Sequence, residues 1–190
     1  MKNSTDILIV GGGVSGSACG AALMNSGYKI ICIDQGTGGP LDTSRGDHIS
    51  PANVAAMDSW GVLEDFFSIG ATKRVGHEFR SSASDLLLRA EYSEMGISHP
   101  YFLVVNHEKI SSTFLNFAQK NPDFTLLQPY SAKEFDITNG DITKVRASNK
   151  DGELIEVSAH IVIACDGATS SIRSALHVDT FEHPYTHPMV

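Results

Sequence analysis

The chain has 190 residues, enough for one domain or a domain and a half, and its formal net charge is −8. This acidic balance argues against nucleic acid and against an anionic membrane surface as partners, because both are bound through clustered Lys and Arg. No apolar run approaches the length that spans a bilayer, and the N-terminus is not typical of a signal peptide. The 42% of hydrophobic and 19% of charged residues suit a chain with a hydrophobic core.

The thiols and histidines indicate neither a disulfide framework nor a metal site. No cysteine belongs to a C-x-x-C pair, and all of them lie in apolar segments: Cys19, Cys32 and Cys165. Buried thiols of this kind favour a reducing cytoplasm. His183 and His187 are four residues apart, but Pro184 and Pro188 disfavour a helix that would bring them together. We therefore expect a cytoplasmic protein without a bound metal.

The first pattern along the chain is a strand, a glycine turn, a helix and a second strand. Residues 7–10 form a short apolar run, as a buried parallel strand does, and lead into a G-x-G-x-x-G motif. A helix is predicted from there to about residue 26, followed by a second apolar strand at residues 30–33. Asp34 ends this strand, where an acid can accept hydrogen bonds from a ribose.

The glycine motif suits a pyrophosphate at the start of the helix. Gly11 permits a tight turn, Gly13 lets the backbone approach the phosphates, and Gly16 lets the helix lie close to the sheet. The first helical turn, with Val14 and Ser15, offers unpaired N–H groups and the positive end of the helix dipole. Dinucleotide binding is therefore favoured over a merely glycine-rich turn. NAD, NADP and FAD remain open, since all three carry an adenosine pyrophosphate.

A turn-rich stretch, residues 35–40, separates this unit from the next helix. Ser50 is a suitable N-cap for that helix, Pro51 suits its first position, and Gly61 can terminate it. Arg45 lies in the loop before the helix. Two interpretations of Arg45 remain open, a solvated surface arginine and a planar donor that faces a cofactor phosphate.

Residues 62–105 contain strand-like segments without alternating helices. Strands are predicted at residues 78–80, 86–92 and 101–105, and together they indicate an antiparallel insertion. Residues 109–120 are predicted to form a helix. The apolar face of this helix is assigned to the core and consists of Ile110, Phe114, Phe117 and Ala118.

The following segment alternates short apolar strands with turn signals. Residues 124–127 are predicted to form a buried strand. Asn139-Gly140 predicts a two-residue hairpin turn, and Asp151-Gly152 marks a second turn before a strand at residues 154–157. We therefore predict three antiparallel strands between two parallel ones, the second of which is at residues 161–165.

Asp166 directly follows the last predicted parallel strand, and Gly167 follows it in turn. Ligands bind beyond the carboxyl ends of the strands in an open parallel sheet, so Asp166 and Asp34 are expected at one edge. Ser170 or Ser171 can cap a short helix there. Asp166 is either a turn residue, which is the simpler interpretation, or a ligand-binding residue.

Four features in this order resemble the FAD-dependent aromatic hydroxylases, the para-hydroxybenzoate hydroxylase type of flavoprotein monooxygenase. They are the glycine motif, the acid Asp34, Arg45 ahead of a helix that ends in Trp60-Gly61, and the stretch from Asp166 to Arg173. The last is similar to the family's D-G-x-x-S-x-x-R signature and is the most specific. The resemblance covers essentially the whole chain. It implies an α/β fold, Rossmann-like and FAD/NAD(P)-binding, with a three-stranded antiparallel β-meander and part of an antiparallel substrate domain.

The resemblance also implies a set of cofactor contacts. The glycine motif and Asp34 would hold the ADP part of FAD, Arg45 would contact FAD, and Asp166 would serve both FAD and NAD(P)H. Ala132 would match a backbone contact to adenine, and His107 stands where the family usually has Gln or Arg. The arginine that often follows the acid in the family is missing here. The implied cofactor-binding residues are Gly11, Gly13, Val14, Ser15, Gly16, Asp34, Arg45, His107, Ala132 and Asp166.

Family members are considerably longer and carry a second flavin motif that nothing after Asp166 matches. We therefore expect the N-terminal part of an enzyme, which would not hydroxylate a substrate by itself. The FAD-binding domain is expected at residues 1–72 and 105–182, and the first part of a substrate domain at residues 73–104. Residues 183–190 would begin a further substrate-domain segment.

In the intact family, NAD(P)H reduces FAD, and O₂ then supplies the oxygen that hydroxylates an aromatic or related small molecule. The implied function is the FAD-binding portion of such a monooxygenase, with NADH or NADPH as co-substrate. The catalytic residues, the substrate and the oligomeric state are left open. The alternatives are an FAD-dependent reductase of the same frame, such as an isoprenoid reductase, a non-catalytic FAD-binding module, and an NAD-dependent dehydrogenase. The single Trp60 argues against halogenases that carry a Trp-x-Trp motif.

Overall fold

The structure is a computed structural model that describes residues 2–36 and 48–184. Within these ranges one short 3-10 helix covers Tyr92–Met95. The helices are α1 (Val14–Ala22), α2 (Pro51–Trp60), α3 (Leu63–Ser68), α4 (His107–Ala118) and α5 (Ser171–Ala175). The strands are β1 (Lys2–Val10), β2 (Ile30–Ile33), β3 (His48–Ile49), β4 (Thr72–Arg74), β5 (Gly76–Arg80), β6 (Leu86–Glu91), β7 (Phe102–Val104), β8 (Phe124–Leu127), β9 (Ser131–Thr138), β10 (Asp141–Ser148) and β11 (Leu154–Ala164).

The main sheet has six strands in the order β8-β2-β1-β11-β10-β9. The first four of these are parallel to one another, while β10 pairs antiparallel with β11 and β9 pairs antiparallel with β10. The parallel strands are apolar because their middle residues are covered on both faces, as Leu8 and Ile9 show, both of them fully buried. This arrangement confirms the predicted Rossmann-like α/β fold with a three-stranded antiparallel meander formed by β9, β10 and β11.

Strand β11 corrects one sequence prediction. The pattern predicts separate strands at residues 154–157 and 161–165, but the structure has a single strand of 11 residues. Its first part pairs antiparallel with β10 up to Ser158, and it pairs in parallel with β1 as far as Ala164. The polar residue His160 does not break the strand, because its side chain is exposed and lies 3.5 Å from the carboxylate of Asp6.

The apolar face predicted for α4 is confirmed, since all four of its predicted side chains are buried: Ile110, Phe114, Phe117 and Ala118. The helix begins at His107 and not at Lys109, because the side chain of Asn106 caps it. The oxygen of Asn106 accepts a hydrogen bond from the backbone N–H of Glu108 at 3.0 Å. Short polar caps of this kind are difficult to place from periodicity alone.

Helix α2 begins at Pro51 and is terminated by Gly61 in the left-handed conformation with φ 83°, as predicted. Ser50 occupies the N-cap position but makes no side-chain hydrogen bond there. Helix α3 was not predicted, because six residues are too few for a clear apolar period. It contributes Leu63 and Phe66 to the core that α2 and α4 share.

The antiparallel character predicted for residues 62–105 is confirmed. These residues contribute β4 and β7 to a three-stranded sheet of order β3-β7-β4, and a separate hairpin of β5 and β6. Large apolar side chains are exposed in this part of the chain, among them Val75, Phe79, Leu86, Leu87, Leu88, Met95 and Ile97. In residues 2–36 and 48–184, every helix is too short or too polar to cross a bilayer.

Candidate functional site

A cleft of about 830 Å³ lies at the carboxyl ends of the four parallel strands. The last residues of these strands, or the residues beside them, reach its wall: Val10, Ile33, Leu126 and Cys165. One side of α4, along nearly its whole length from His107 to Asn116, and the start of β9 complete the lining. This is the place where an open parallel sheet binds its ligands, because the loops that follow the strands converge there.

The cleft brings together residues that are far apart in the sequence. Val14 and Ser15 lie at the exposed start of α1 beside the cleft, and Gly16 is buried beneath them. Arg45 lies outside the described residues. Ala132 lies near the start of β9, the strand that follows β8, where it pairs with Ala147. The predicted residues that line the cleft are Gly11, Gly13, Asp34, His107, Ala132 and Asp166.

The glycine turn joins β1 to α1 with almost no space between them. Gly11 has φ +102°, which favours glycine, and a Cβ atom on it would lie 2.3 Å from the carbonyl oxygen of Cys165. A Cβ atom on Gly16 would lie 1.8 Å from the carbonyl oxygen of Gly11, so the helix rests directly on the turn. Gly13 differs, because no described atom lies within 4 Å of the position that its Cβ would take.

At the start of α1, the backbone N–H groups are not taken up by any described side chain of the protein. No side chain caps it, and its first turn carries no acidic residue. The backbone N–H groups of a first helical turn have no intrahelical partner, and together with the helix dipole they attract an anion. The open space at Gly13 lies at this helix end, so the residues present fit a pyrophosphate.

Asp34 holds the glycine turn in place, a role that the sequence did not reveal. Its Oδ2 accepts a hydrogen bond from the backbone N–H of Gly12 at 2.7 Å. Its Oδ1 accepts from the N–H of Gly36 at 2.8 Å and from Nε2 of Gln128 at 2.7 Å. A carboxylate has about four acceptor positions, which leaves one for a ribose hydroxyl. Gly12 is a glycine that the G-x-G-x-x-G motif does not require, and this was the available sign of its role. A Cβ atom on Gly12 would lie 2.9 Å from Cβ of Asp34.

Asp166 is bound on both oxygens by the start of α5. Oδ1 accepts from the hydroxyl of Ser170 at 2.6 Å, and Oδ2 accepts from the hydroxyl of Ser171 at 3.1 Å and from the N–H of Ile172 at 3.2 Å. Partial burial by itself would raise the pKa of Asp166, but these hydrogen bonds outweigh it and lower the pKa below its ordinary value. Ser170 caps the helix through a bond from the N–H of Arg173. Asp166 thus orders the turn before α5 and also lines the cleft, and its role as a ligand-binding residue stays a prediction.

His107 presents an unusual buried nitrogen to the same region. It is the first residue of α4 and lines the cleft. Its Nδ1 is buried and has no hydrogen-bond partner among the described residues. Buried ring nitrogens normally have a partner, so this nitrogen is suited to a ligand in the cleft.

The three thiols are suited to packing and not to nucleophilic chemistry. All are unpaired. Burial, followed by the nearby charge of Asp34, raises the pKa of Cys32 to about 12. Burial also raises the pKa of Cys165, which lines the cleft, and that of Cys19. Because the thiolate is the reactive form, these shifts make the thiols poor nucleophiles.

We expect the substitution Asp166→Asn to destabilise the chain in a pH-dependent way. The ionised carboxylate is favoured in the folded state, whose pKa lies below the ordinary value of 3.8. This stabilisation is complete above the pKa of the unfolded chain and is lost as the pH falls through the folded pKa. The urea midpoint of the variant should therefore be lower than that of the parent at pH 7, and this difference should be smaller at pH 3, which lies below the ordinary pKa of an unfolded aspartate, about 3.9. A difference that is equal at both pH values would contradict the role assigned to the carboxylate.

The sequence is similar to a family of FAD-binding domains and to several curated enzymes. A family model described as "FAD binding domain" matches residues 4–189. The squalene epoxidase erg1 of Schizosaccharomyces pombe is 26% identical over 189 residues, which are 94% of this chain and 38% of that protein. A kynurenine 3-monooxygenase of Legionella pneumophila is 25% identical over 178 residues, which are 90% of this chain and 37% of that protein. The chain thus spans about two fifths of the length of these curated relatives.

Solved structures show the same fold. The p-nitrophenol 4-monooxygenase PnpA of Pseudomonas putida superposes with a TM-score of 0.78 at 22% identity, over 91% of this chain and 43% of that one. PqsL of Pseudomonas aeruginosa, described as a probable FAD-dependent monooxygenase, superposes with a TM-score of 0.79 at 22% identity, over 96% of this chain and 48% of that one. From the match to residues 4–189, the chain belongs to the FAD binding domain family.

Proposed function

We propose that the cleft is the binding site for the ADP part of FAD in an enzyme that hydroxylates a small molecule with NAD(P)H and O₂. The observation that carries this proposal is the open space at Gly13, directly at the uncapped start of α1. FAD supplies the redox chemistry when it is bound, and this part of the protein binds and orients it. A substrate of the aromatic class accords with the relatives, which include monooxygenases named for p-nitrophenol and kynurenine.

The residues around the cleft have distinct parts in this proposal. The N–H groups at the start of α1 hold the pyrophosphate, and the remaining acceptor position of Asp34 binds a ribose hydroxyl. The backbone of Ala132 contacts adenine, and the buried Nδ1 of His107 binds a polar group of the cofactor. Asp166 orders the turn that borders the flavin side of the site and serves NAD(P)H as well as FAD. Arg45 supplies a further donor to FAD.

The domain division is also proposed. Residues 1–72 and 105–182 form the FAD-binding domain, residues 73–104 begin a substrate domain, and residues 183–190 begin its next segment. The separate hairpin of β5 and β6, which lies wholly within residues 73–104, supports this division. NADH or NADPH is the proposed co-substrate, and the three unpaired thiols support a cytoplasmic location. That the 190-residue chain does not hydroxylate by itself stays a prediction.

The test is to identify the ligand that the purified chain retains. We expect heat to release a compound with the absorption spectrum of oxidised flavin, in near-stoichiometric amount, and added FAD to restore it to the stripped protein. A chain that binds NADH tightly and takes up no flavin would instead support an NAD-dependent dehydrogenase. Turnover of an aromatic substrate by a longer protein that includes these residues would separate a monooxygenase from a reductase or a non-catalytic module.

The substitution Asp34→Ala should weaken FAD binding by about 1–3 kcal/mol, or roughly 5- to 150-fold. It removes the ribose acceptor and also releases the N–H groups of Gly12 and Gly36. The dissociation constant is measured by quenching of flavin fluorescence. The control is Gln128→Ala, which removes one donor to Asp34 but keeps the carboxylate, and so should cost less. An unchanged dissociation constant in Asp34→Ala would show that the carboxylate has no part in binding.

A further inference from the structure

Tyr130 brings an aromatic ring to the wall of the cofactor cleft, and this ring has no part in the FAD contacts proposed above. Tyr130 lies between β8 and β9 and is the only Phe, Tyr or Trp among the described residues that line the cleft. Its side chain is partly buried and packs against a core cluster of the main sheet that includes Val10 and Ile33. Packing in the core accounts for the ring alone, but two further contacts fix where it lies.

The backbone of Tyr130 is tied to the proposed ribose-binding residue. Its N–H donates a hydrogen bond to the carbonyl oxygen of Asp34 at 2.8 Å. Nε2 of Gln128, which precedes Tyr130 by two residues, donates to Oδ1 of Asp34 at 2.7 Å. Ala132, whose backbone is the proposed adenine contact, lies two residues after Tyr130. Because the base of adenosine is attached directly to its ribose, a ribose bound by Asp34 would bring the base next to Tyr130.

The tip of the Tyr130 side chain is held by the turn between β10 and β11. Its hydroxyl donates a hydrogen bond to the carboxylate of Glu153, and this bond, followed by burial, raises the pKa of Tyr130 above its ordinary value. Glu153 is held in turn by Asn149. The backbone N–H of Glu153 donates to Oδ1 of Asn149 at 2.8 Å, and its Oε2 accepts from Nδ2 of Asn149 at 3.2 Å. A side chain that is already ordered in this way loses little conformational entropy when it binds a ligand.

The neighbouring side chains at this end of the cleft provide hydrogen-bonding groups but no aromatic face. Gln128, Ser131 and Lys133 line the cleft beside Tyr130. Every nucleic-acid base is planar and has a π face, so an aromatic side chain can stack on a base without matched hydrogen bonds. Tyr130 is therefore suited to the face of a base, whereas the polar side chains around it are suited to the edge of the base.

We propose that the ring of Tyr130 is the stacking platform for the adenine base of FAD, and that Glu153 is the residue that positions this ring. The base lies against the ring, with the backbone of Ala132 at its edge, while a ribose hydroxyl binds Asp34. This assignment rests on the proposed function and deepens it, because it names the side chain with which this protein recognises the base of the same cofactor.

The experiment compares a nucleotide with the same molecule without its base. The probes are AMP and ribose 5-phosphate, and their binding to the 190-residue protein is measured by NMR titration. The dissociation constant of FAD is measured in parallel by quenching of flavin fluorescence. The variant Tyr130→Leu removes the ring and keeps an apolar side chain, whereas Tyr130→Phe removes only the hydroxyl. The matched control is Phe135→Leu, because Phe135 packs against the same core cluster and is not among the residues that line the cleft.

We expect the parent protein to bind AMP more tightly than ribose 5-phosphate. Tyr130→Leu should weaken the binding of both FAD and AMP by about 5- to 150-fold, the usual range for the loss of one base–aromatic stack. The binding of ribose 5-phosphate should not change in Tyr130→Leu, since the contacts to ribose and phosphate remain. Tyr130→Phe should keep most of the affinity for AMP, and Phe135→Leu should keep all of it. A purely structural role of Tyr130 would instead weaken the binding of both probes equally.

Three results would overturn the assignment. The first is equal binding of AMP and ribose 5-phosphate by the parent protein, a comparison that needs no variant and that decides the question if Tyr130→Leu does not fold. The second is an unchanged dissociation constant of FAD in Tyr130→Leu, and the third is an equal loss of binding of both probes in that variant. Any of these results with normal FAD binding by the parent would refute the stacking platform alone, whereas the absence of FAD binding by the parent would refute the proposed function.

Discussion

The substitution Gly13→Val should abolish FAD binding while the chain still folds. Gly13 has φ −63°, an ordinary value for any residue, and its Cβ position is free of described atoms within 4 Å. The side chain would therefore not strain the fold but would occupy the space proposed for the pyrophosphate. We expect the free energy of unfolding to fall by no more than about 1 kcal/mol, the typical cost of losing a good N-cap residue. Flavin content after purification and a urea unfolding curve measure the two effects.

A graded pair of variants makes this test more specific. Gly13→Ala adds a single methyl group and should reduce FAD affinity less than Gly13→Val does, with the same small effect on stability. Flavin content in Gly13→Val equal to that of the parent would show that the phosphates do not approach the backbone here. A large loss of stability in either variant would show that the space at Gly13 is filled in the folded protein.

The substitution Gly16→Ala should have the opposite profile and destabilise the fold itself. Its Cβ would lie 1.8 Å from the carbonyl oxygen of Gly11 and 3.0 Å from the carbon of the same group. Both are backbone atoms in the turn between β1 and α1, so the helix has to move away from the sheet. We expect a loss of roughly 3 kcal/mol or more in the free energy of unfolding, at the upper end for an overpacked site. Urea unfolding monitored by circular dichroism gives this value.

Gly13→Ala is the matched control for Gly16→Ala, because it adds the same methyl group three residues earlier. Addition of FAD should not restore the stability of Gly16→Ala, since the clash lies within the protein. If Gly16→Ala unfolds at the same urea concentration as the parent, the close contact between α1 and the glycine turn is not a constraint on this fold.

The local sequence pattern was sufficient to predict the first part of the site, which consists of β1, the glycine turn, the start of α1 and the acid after β2. An apolar strand, three spaced glycines and an acid after the next strand specify a turn and a helix start within a short stretch. The structure has β2 at the predicted residues and places Gly11, Gly13 and Asp34 at one cleft. The Asn139-Gly140 hairpin was predictable for the same reason, because both residues adopt the positive φ angles that such a turn requires.

Boundaries that depend on more distant partners were not predictable in this way. Strand β11 is continuous because β10 supports its first part and β1 its second part. The residues between the two apolar runs of β11 do not reveal, in the sequence, that β10 and β1 pair with it on its two sides. The position of Ala132 within β9 likewise follows from its pairing with β10 and not from its distance after β8.

The sequence by itself determined the α/β type of fold and indicated a dinucleotide as the ligand. Strand and helix periods and glycine turns are properties of neighbouring residues, so they can be recognised without the tertiary structure. Only the tertiary structure decided which groups meet. It ties the carboxylate of Asp34 to Gly12 and Gln128, and it surrounds His77 with rings from three separate segments. Such contacts depend on strand order and register across the whole chain, which the local spacing of residues does not contain.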